Sequence, residues 1–231
     1  MKTATLELKE QETVAPAKTA DFNRLARIYR WLEWLSFGPI LWRCRCAFLA
    51  EMKGRQAALI IGDGDGRFTA QLLEENPYIT VHALDASESM LRQLMLGVGR
   101  NADRVHTQLT DARHLNLAPR KFDLVTTHFF LDCLTTDEVE SLAMQLREAM
   151  VTDAAWVVSE FAIPSNWYGR IIARPLVAGL YAAFGFLTGL GIRQLPEHRK
   201  ALHRAGFALA KQRKWLWGLL VSELWHLNAE S

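Results

Sequence analysis

The chain has 231 residues, 50% hydrophobic and 23% charged, with a formal net charge of +2. That length supports one α/β domain with a full core, and the near-balanced charge excludes a strongly basic nucleic-acid surface. Three cysteines, Cys44, Cys46 and Cys133, exclude a disulfide framework and fit a reduced, cytoplasmic setting.

Residues 1–20 are polar and aperiodic and lack the apolar core of a secretion leader, so a flexible N-terminal segment is expected there. Residues 21–231 then form one domain. Asp21 to Tyr29 and Trp31 to Ala50 predict two helices, broken near Ser36-Phe37-Gly38-Pro39, that make a helical cap over 21–50. Tyr29, Trp31, Trp34 and Phe37 crowd this cap. It either packs on a sheet or covers a ligand and lines an apolar pocket. Cys44 and Cys46 stand two apart in a helical pattern, face different ways and make no metal pair.

From Ala57 the chain alternates. A strand runs to Gly62, a helix starts at Gly66, a strand runs to Asp85, and a helix follows with Ser87 as its N-cap. A third strand spans about Arg104 to Leu109 and a fourth Phe122 to Thr127. A helix over Thr136 to Met150 is capped by Thr135 or Thr136, with Asp137, Glu138 and Glu140 suiting its first turns. Ala154 to Phe161 is a fifth strand. This alternation predicts a doubly wound, mostly parallel sheet with helices on both faces, whose ligand sits at the carboxyl ends of the strands. Gly62, Asp85, Asp111, His128 and Glu160 all fall at such ends. The tail predicts a β-hairpin, Phe207 to Lys214 and Leu219 to His226, turning at Trp217-Gly218.

The most informative stretch is Leu59-Ile60-Ile61-Gly62-Asp63-Gly64-Asp65-Gly66, with Asp85 lying 19 residues beyond Gly66. A buried strand ends in a glycine turn that admits a ligand to the backbone. The carboxylate at the next strand end suits a ribose diol, since it offers two acceptor oxygens. A dinucleotide loop needs a third glycine where this chain has Arg67.

The G-x-G-x-G spacing resembles the first motif of the class I S-adenosylmethionine-dependent methyltransferases. Val81-His82-Ala83-Leu84-Asp85-Ala86-Ser87 resembles the second. Val105 to Ala112 is similar to the third, and Phe122-Asp123-Leu124-Val125-Thr126-Thr127-His128-Phe129 to the fourth. The resemblance implies a Rossmann-like, seven-stranded sheet whose last strand is inserted antiparallel. It also implies a cofactor site of Gly62, Asp63, Gly64, Asp65, Gly66, Asp85, Ala86, Met90, Asp111, Ala112 and His128. Asp85 would take the ribose hydroxyls, Met90 would lie near the adenine, and Asp111 and Ala112 would bind its edge. The family's acid two residues before the first glycine is replaced here by Ile60, so Asp63 or Asp65 is expected to take the ligand's ammonium group. Phe22 to Tyr29, Leu35-Ser36-Phe37-Gly38 and Ala205-Gly206-Phe207 resemble the ubiquinone and menaquinone biosynthesis methyltransferases. That narrower likeness implies an apolar, quinone-, phenol- or lipid-like acceptor.

Pro175 to Ile192 holds 18 residues without a charge, inside an apolar insertion over 164–196. A buried core helix, an apolar lid or interfacial helix in peripheral contact with a membrane, and a transmembrane helix all fit that run. Methyl transfer needs a base only when the nucleophile must shed a proton. His128 suits that role, with Asp132 to orient it, and Glu160 is a second candidate. The other histidines lack ligand-like spacing, and no metal is expected. A nicotinamide-dependent oxidoreductase or epimerase, and a non-catalytic adenosyl-ligand-binding protein, stand as alternatives.

Overall fold

The computed structural model of the protein describes residues 38–179 and 195–228, apart from 116, 118 and 120. The segment 1–20, the helix expected over Asp21 to Tyr29 and most of the uncharged run to Ile192 lie outside these residues. The strands are β1 (Ala57–Ile61), β2 (Thr80–Asp85), β3 (Val105–Leu109), β4 (Phe122–His128), β5 (Met150–Phe161), β6 (Phe207–Trp215) and β7 (Leu220–Leu227). They form one sheet in the order β3-β2-β1-β4-β5-β7-β6. β7 is antiparallel to both its neighbours, and the other six strands run parallel. This is the Rossmann-like sheet with an antiparallel last strand that the sequence predicts.

The helices are α1 (Gly38–Arg45), α2 (Arg67–Glu75), α3 (Glu88–Val98), α4 (Thr136–Ala149), α5 (residues 167–179, with π-helical turns over Gly169–Ala173) and α6 (His198–Arg204). Alternation along the strands sorts side chains to two faces. Leu59 and Ile61 of β1 join Trp156 and Val158 of β5 on one face, under Val139, Leu142 and Leu146 of α4 and Ala201 and Leu202 of α6. Ala58 and Ile60 join Ala155 and Val157 on the other, under Phe68 and Leu72 of α2 and Leu94 and Val98 of α3. Each large apolar side chain so buried contributes roughly 1.5–3 kcal/mol. Trp156 is fully buried, and its indole N–H donates to Thr127 Oγ1 at 3.0 Å, so its polar atom is satisfied.

Two expected boundaries shift. Of the helix predicted over Trp31 to Ala50, residues 31–37 lie outside the described ones; the described part is α1, which ends at Arg45 ahead of a short 3-10 helix over Leu49–Met52. That turn buries Phe48 and Met52 on the sheet, and their burial overrides the helical periodicity. β5 starts at Met150 instead of Ala154, because Met150 pairs with Phe122 ahead of a bulge in β5 that precedes the Leu124–Ala155 pair. The caps follow the sequence. Ser87 Oγ accepts the Met90 amide at 3.4 Å, and Thr135 with Glu138 forms a reciprocal capping box on α4.

Thr135→Ala removes one arm of that box and is expected to cost about 1 kcal/mol, read as a lower urea midpoint at unchanged slope.

Candidate active site

Strand register brings the site together. Ile61 pairs with Leu84 on one side and Thr127 on the other, and His128 pairs with Ser159. Gly62, Asp85, His128 and Glu160 therefore leave the sheet along one carboxyl edge.

The glycine loop is shaped by contacts as well as by dihedrals. Gly62 has φ +71°, and a Cβ there would meet Phe130 Cδ2 at 2.5 Å. Phe130 thus lies flat on the loop, where any larger residue would displace it. Gly64 has φ +68° and open space where a Cβ would stand, so its backbone can be approached by a ligand. Gly66 precedes α2 and packs on the backbone of Leu94.

The two loop aspartates divide. Asp65 pairs with Arg67 at 2.9 Å. Asp63 is buried, and its Oδ2 accepts the Thr69 amide at 2.9 Å and the Thr69 hydroxyl at 2.6 Å, which fastens the loop to the first turn of α2. Its Oδ1 is buried without a hydrogen-bond partner among the described residues. Burial pushes the Asp63 carboxyl up from 3.8 to about 6, against the pull of Arg45 and the Thr69 hydrogen bonds. An orphaned carboxylate oxygen in this position fits a cationic ligand group.

Asp85, at the end of β2, accepts the Ser87 amide through Oδ1 at 2.8 Å. Burial raises it from 3.8 to about 6, and Asp63 adds to the rise. Ala86 and Met90 follow it into α3. Asp111 caps a short 3-10 turn over Ala112–His114 by accepting the Arg113 amide at 2.9 Å, and Ala112 is buried.

At the end of β4, His128 Nδ1 lies 2.9 Å from Ser159 Oγ. Ser159 Oγ also lies 3.1 Å from Ser222 Oγ and 3.3 Å from the Cys44 carbonyl, which can only accept. When the serine proton goes to that carbonyl or to Ser222, Ser159 accepts from His128 Nδ1–H, and the lone pair of the neutral ring is on Nε2. Nε2 is buried without a partner among the described residues, and the ring meets the edge of Phe68 at 4.3 Å between centroids. Burial, with the charge of Arg45, holds His128 well below its usual value, so the ring is neutral. Ser159 takes the orienting place expected for Asp132. The strand does not wind into a helix after His128. Phe129 adopts φ +54°, a strained left-handed turn, and Asp132 lies in a 3-10 turn over Leu131–Cys133.

Glu160 Oε1 accepts the amides of Phe130 and Leu131 at 3.1 and 2.8 Å, so it holds that turn. Burial, reinforced by the charge of Asp132, keeps its carboxyl well above the usual range.

Arg45, Ser159, Thr69 and Phe130 belong to the site and escaped the sequence. Arg45 is buried at the end of α1, with its guanidinium 5.6 Å from the Phe129 ring centroid. A lone arginine closing a helix reads as a solvated C-terminal charge. The signal that could have found it is its place among apolar residues in a cap expected to cover a ligand.

The strand order, with β7 inserted antiparallel, defines a Rossmann-like domain of the class I methyltransferase type. Residues 59–155 match the family described as a methyltransferase domain. Solved structures agree in fold. The mitomycin 7-O-methyltransferase MmcR is 20% identical with a TM-score of 0.65, over 91% of this chain and 62% of that one. A putative O-methyltransferase of Nostoc punctiforme is 16% identical with a TM-score of 0.68, over 92% of this chain and 63% of that one. The CcbJ methyltransferase of Streptomyces caelestis is 19% identical with a TM-score of 0.61, over 81% of this chain and 90% of that one. The chain thus spans less than two thirds of the first two proteins. Among curated proteins no sequence matches the chain.

In the protein without ligand, Asp63 binds its proton more tightly folded than unfolded, so its contribution to stability grows as pH falls from about 6 towards 3.8. Asp63→Asn keeps an acceptor for Thr69 and removes the buried charge. The variant is expected to be more stable than wild type at neutral pH, by up to about 3 kcal/mol, and the gap to close at pH about 4. Urea titrations of both proteins across that range check the sign.

Proposed function

We propose that the chain transfers a methyl group from S-adenosylmethionine to an apolar small-molecule acceptor. The observation that carries the reading is the glycine loop. It offers an open backbone at Gly64, an orphaned buried oxygen on Asp63, and a second carboxylate, Asp85, at the adjacent strand end. These residues fit the cofactor's separate parts. Asp63 Oδ1 suits the ammonium of its amino-acid end, and Arg45, close enough to act on Asp63 and His128, suits the carboxylate beside it. Asp85 suits the ribose diol. Met90, Asp111 and Ala112 stand on the side expected for the adenine.

The cofactor supplies a methyl group activated by a sulfonium, which leaves by in-line displacement. The chain's own residues orient the acceptor and exclude water. Phe129 and Phe130, turned out of β4 by the left-handed step, give an apolar wall beside His128. The lone pair on His128 Nε2 is the group that takes the proton of a hydroxyl acceptor. Ser159 orients the ring, and Glu160 positions the 129–131 turn. Apolar walls of this kind favour a phenol-, quinol- or lipid-like molecule.

A calorimetric titration with S-adenosylhomocysteine tests the cofactor. Saturable binding is expected, weakened about 10- to 100-fold by Asp85→Ala, which deletes charged hydrogen bonds to the diol. Affinity is also expected to fall as pH drops through about 6, where Asp63 and Asp85 take up protons. No binding to folded wild type would remove the proposal.

His128→Ala is expected to lower turnover with a hydroxyl acceptor about 100-fold or more while product binding is retained. Parallel loss of binding would assign His128 to cofactor contact instead.

A further inference from the structure

α5 and the β6–β7 turn share one surface. α5 buries Gly169, Ala173 and Val177, one residue per turn, with Ala173 and Val177 packing against Leu219 of the turn. Its outer side carries Trp167 and Ile171, each 68% exposed, with Ile172 and Leu176 beside them. Trp217, at the tip of the β6–β7 turn, is 79% exposed. Tyr168 joins the two elements: its ring centroid lies 6.4 Å from Trp167 and 5.3 Å from Trp217. The patch is therefore continuous, unlike the scattered exposed apolar residues that any surface carries.

Two further facts say what it meets. Leu216 and Trp217 adopt φ +48° and +52°, a backbone state that costs non-glycine residues about 1 kcal/mol each, and the result is an indole held out from the fold. The two segments that build the patch carry charge of one sign. No Asp or Glu occurs from Phe161 to Pro196 or from Ala205 to Ser222. Arg170, Arg174 and Lys214 are exposed there, with no ion-pair partner among the described residues. Indoles beside unpaired basic side chains match the headgroup layer of an anionic bilayer, where tryptophan rings sit at the interface and arginines meet phosphates. No helix among the described residues is long and apolar enough to cross a membrane.

We propose that α5 and the β6–β7 turn dock on an anionic lipid surface, with Trp167, Ile171 and Trp217 entering the interface and Arg170, Arg174 and Lys214 contacting lipid phosphates. Phe161, the last residue of β5, pairs with Leu220 at the start of β7. The docking surface therefore lies at the same carboxyl edge as His128 and Gly62, and an apolar acceptor would reach the site from the bilayer side. Docking itself needs neither cofactor nor acceptor, so it stands or falls apart from methyl transfer.

Flotation of the full chain with vesicles tests it, comparing phosphatidylcholine alone with an equal mixture of phosphatidylcholine and phosphatidylglycerol. Binding to the anionic vesicles is expected, diminished by salt. Arg170→Gln with Arg174→Gln should weaken it about 25-fold, roughly fivefold for each arginine. Trp167→Ser with Trp217→Ser should abolish it, with thermal unfolding and S-adenosylhomocysteine binding unchanged, because both indoles lie outside the core. Failure of folded wild type to float with anionic vesicles would overturn the proposal, as would binding that neither double variant weakens. Self-association in sedimentation velocity that the tryptophan variant abolishes, without vesicle binding, would give the surface to a second copy of the chain.

Discussion

The carboxylate of Asp63 lies at 5% exposure in a loop of glycines, with one oxygen bound twice by Thr69 and the other bound by nothing among the described residues. Much of the site follows from this arrangement. The bound oxygen fixes the loop to α2, and so fixes where Gly64 presents its backbone. The orphaned oxygen is a desolvation cost that the fold bears until a cation answers it. Arg45 softens that cost from one side, and the same charge adds to the burial that keeps His128 neutral.

A second constraint comes from the turn after β4. Phe129 steps into the left-handed region directly after His128, and its amide is caught by the Ser159 carbonyl at 2.7 Å. Glu160 catches the next two amides. Strain at Phe129 is thus held in place from β5, the neighbouring strand. The consequence is geometric: Phe130 lies on Gly62, Phe129 lies under Arg45, and the imidazole stays between Ser159 and Phe68. A glycine loop that seemed to need small residues for the sake of a ligand needs one of them, Gly62, for a phenylalanine of its own chain.

The apolar segment after β5 takes on a related meaning. Its inner side closes the sheet edge through Ala173 and Val177, while its outer side continues across to Trp217. Over residues 167–179 the helix is therefore buried on one side and exposed on the other. The carboxyl edge then has a buried polar floor, aromatic walls and a basic, indole-rich rim, an order that suits an apolar molecule meeting a charged cofactor.

Much of this was legible in the sequence wherever the determining contacts are local. Strand-to-turn periodicity, the Ser87 and Thr135 caps, the glycine spacing and the hairpin around Trp217 depend on neighbours a few residues away, so the amino-acid order alone determined the mostly parallel sheet, helices α2, α3 and α4, and the edge on which Gly62, Asp85 and His128 lie. What the order could not carry are contacts between distant segments. Ser159, 31 positions from His128, displaced Asp132 as the partner of the ring because parallel pairing of β4 and β5 sets the two side by side. Arg45 reached the site because α1 stops short and turns to bury Phe48 and Met52. Glu160 became a clamp on backbone amides instead of an open carboxylate. Local chemistry thus decided which elements form, and tertiary structure decided which of their polar atoms remain without a partner, because burial and pairing are properties of the packed whole.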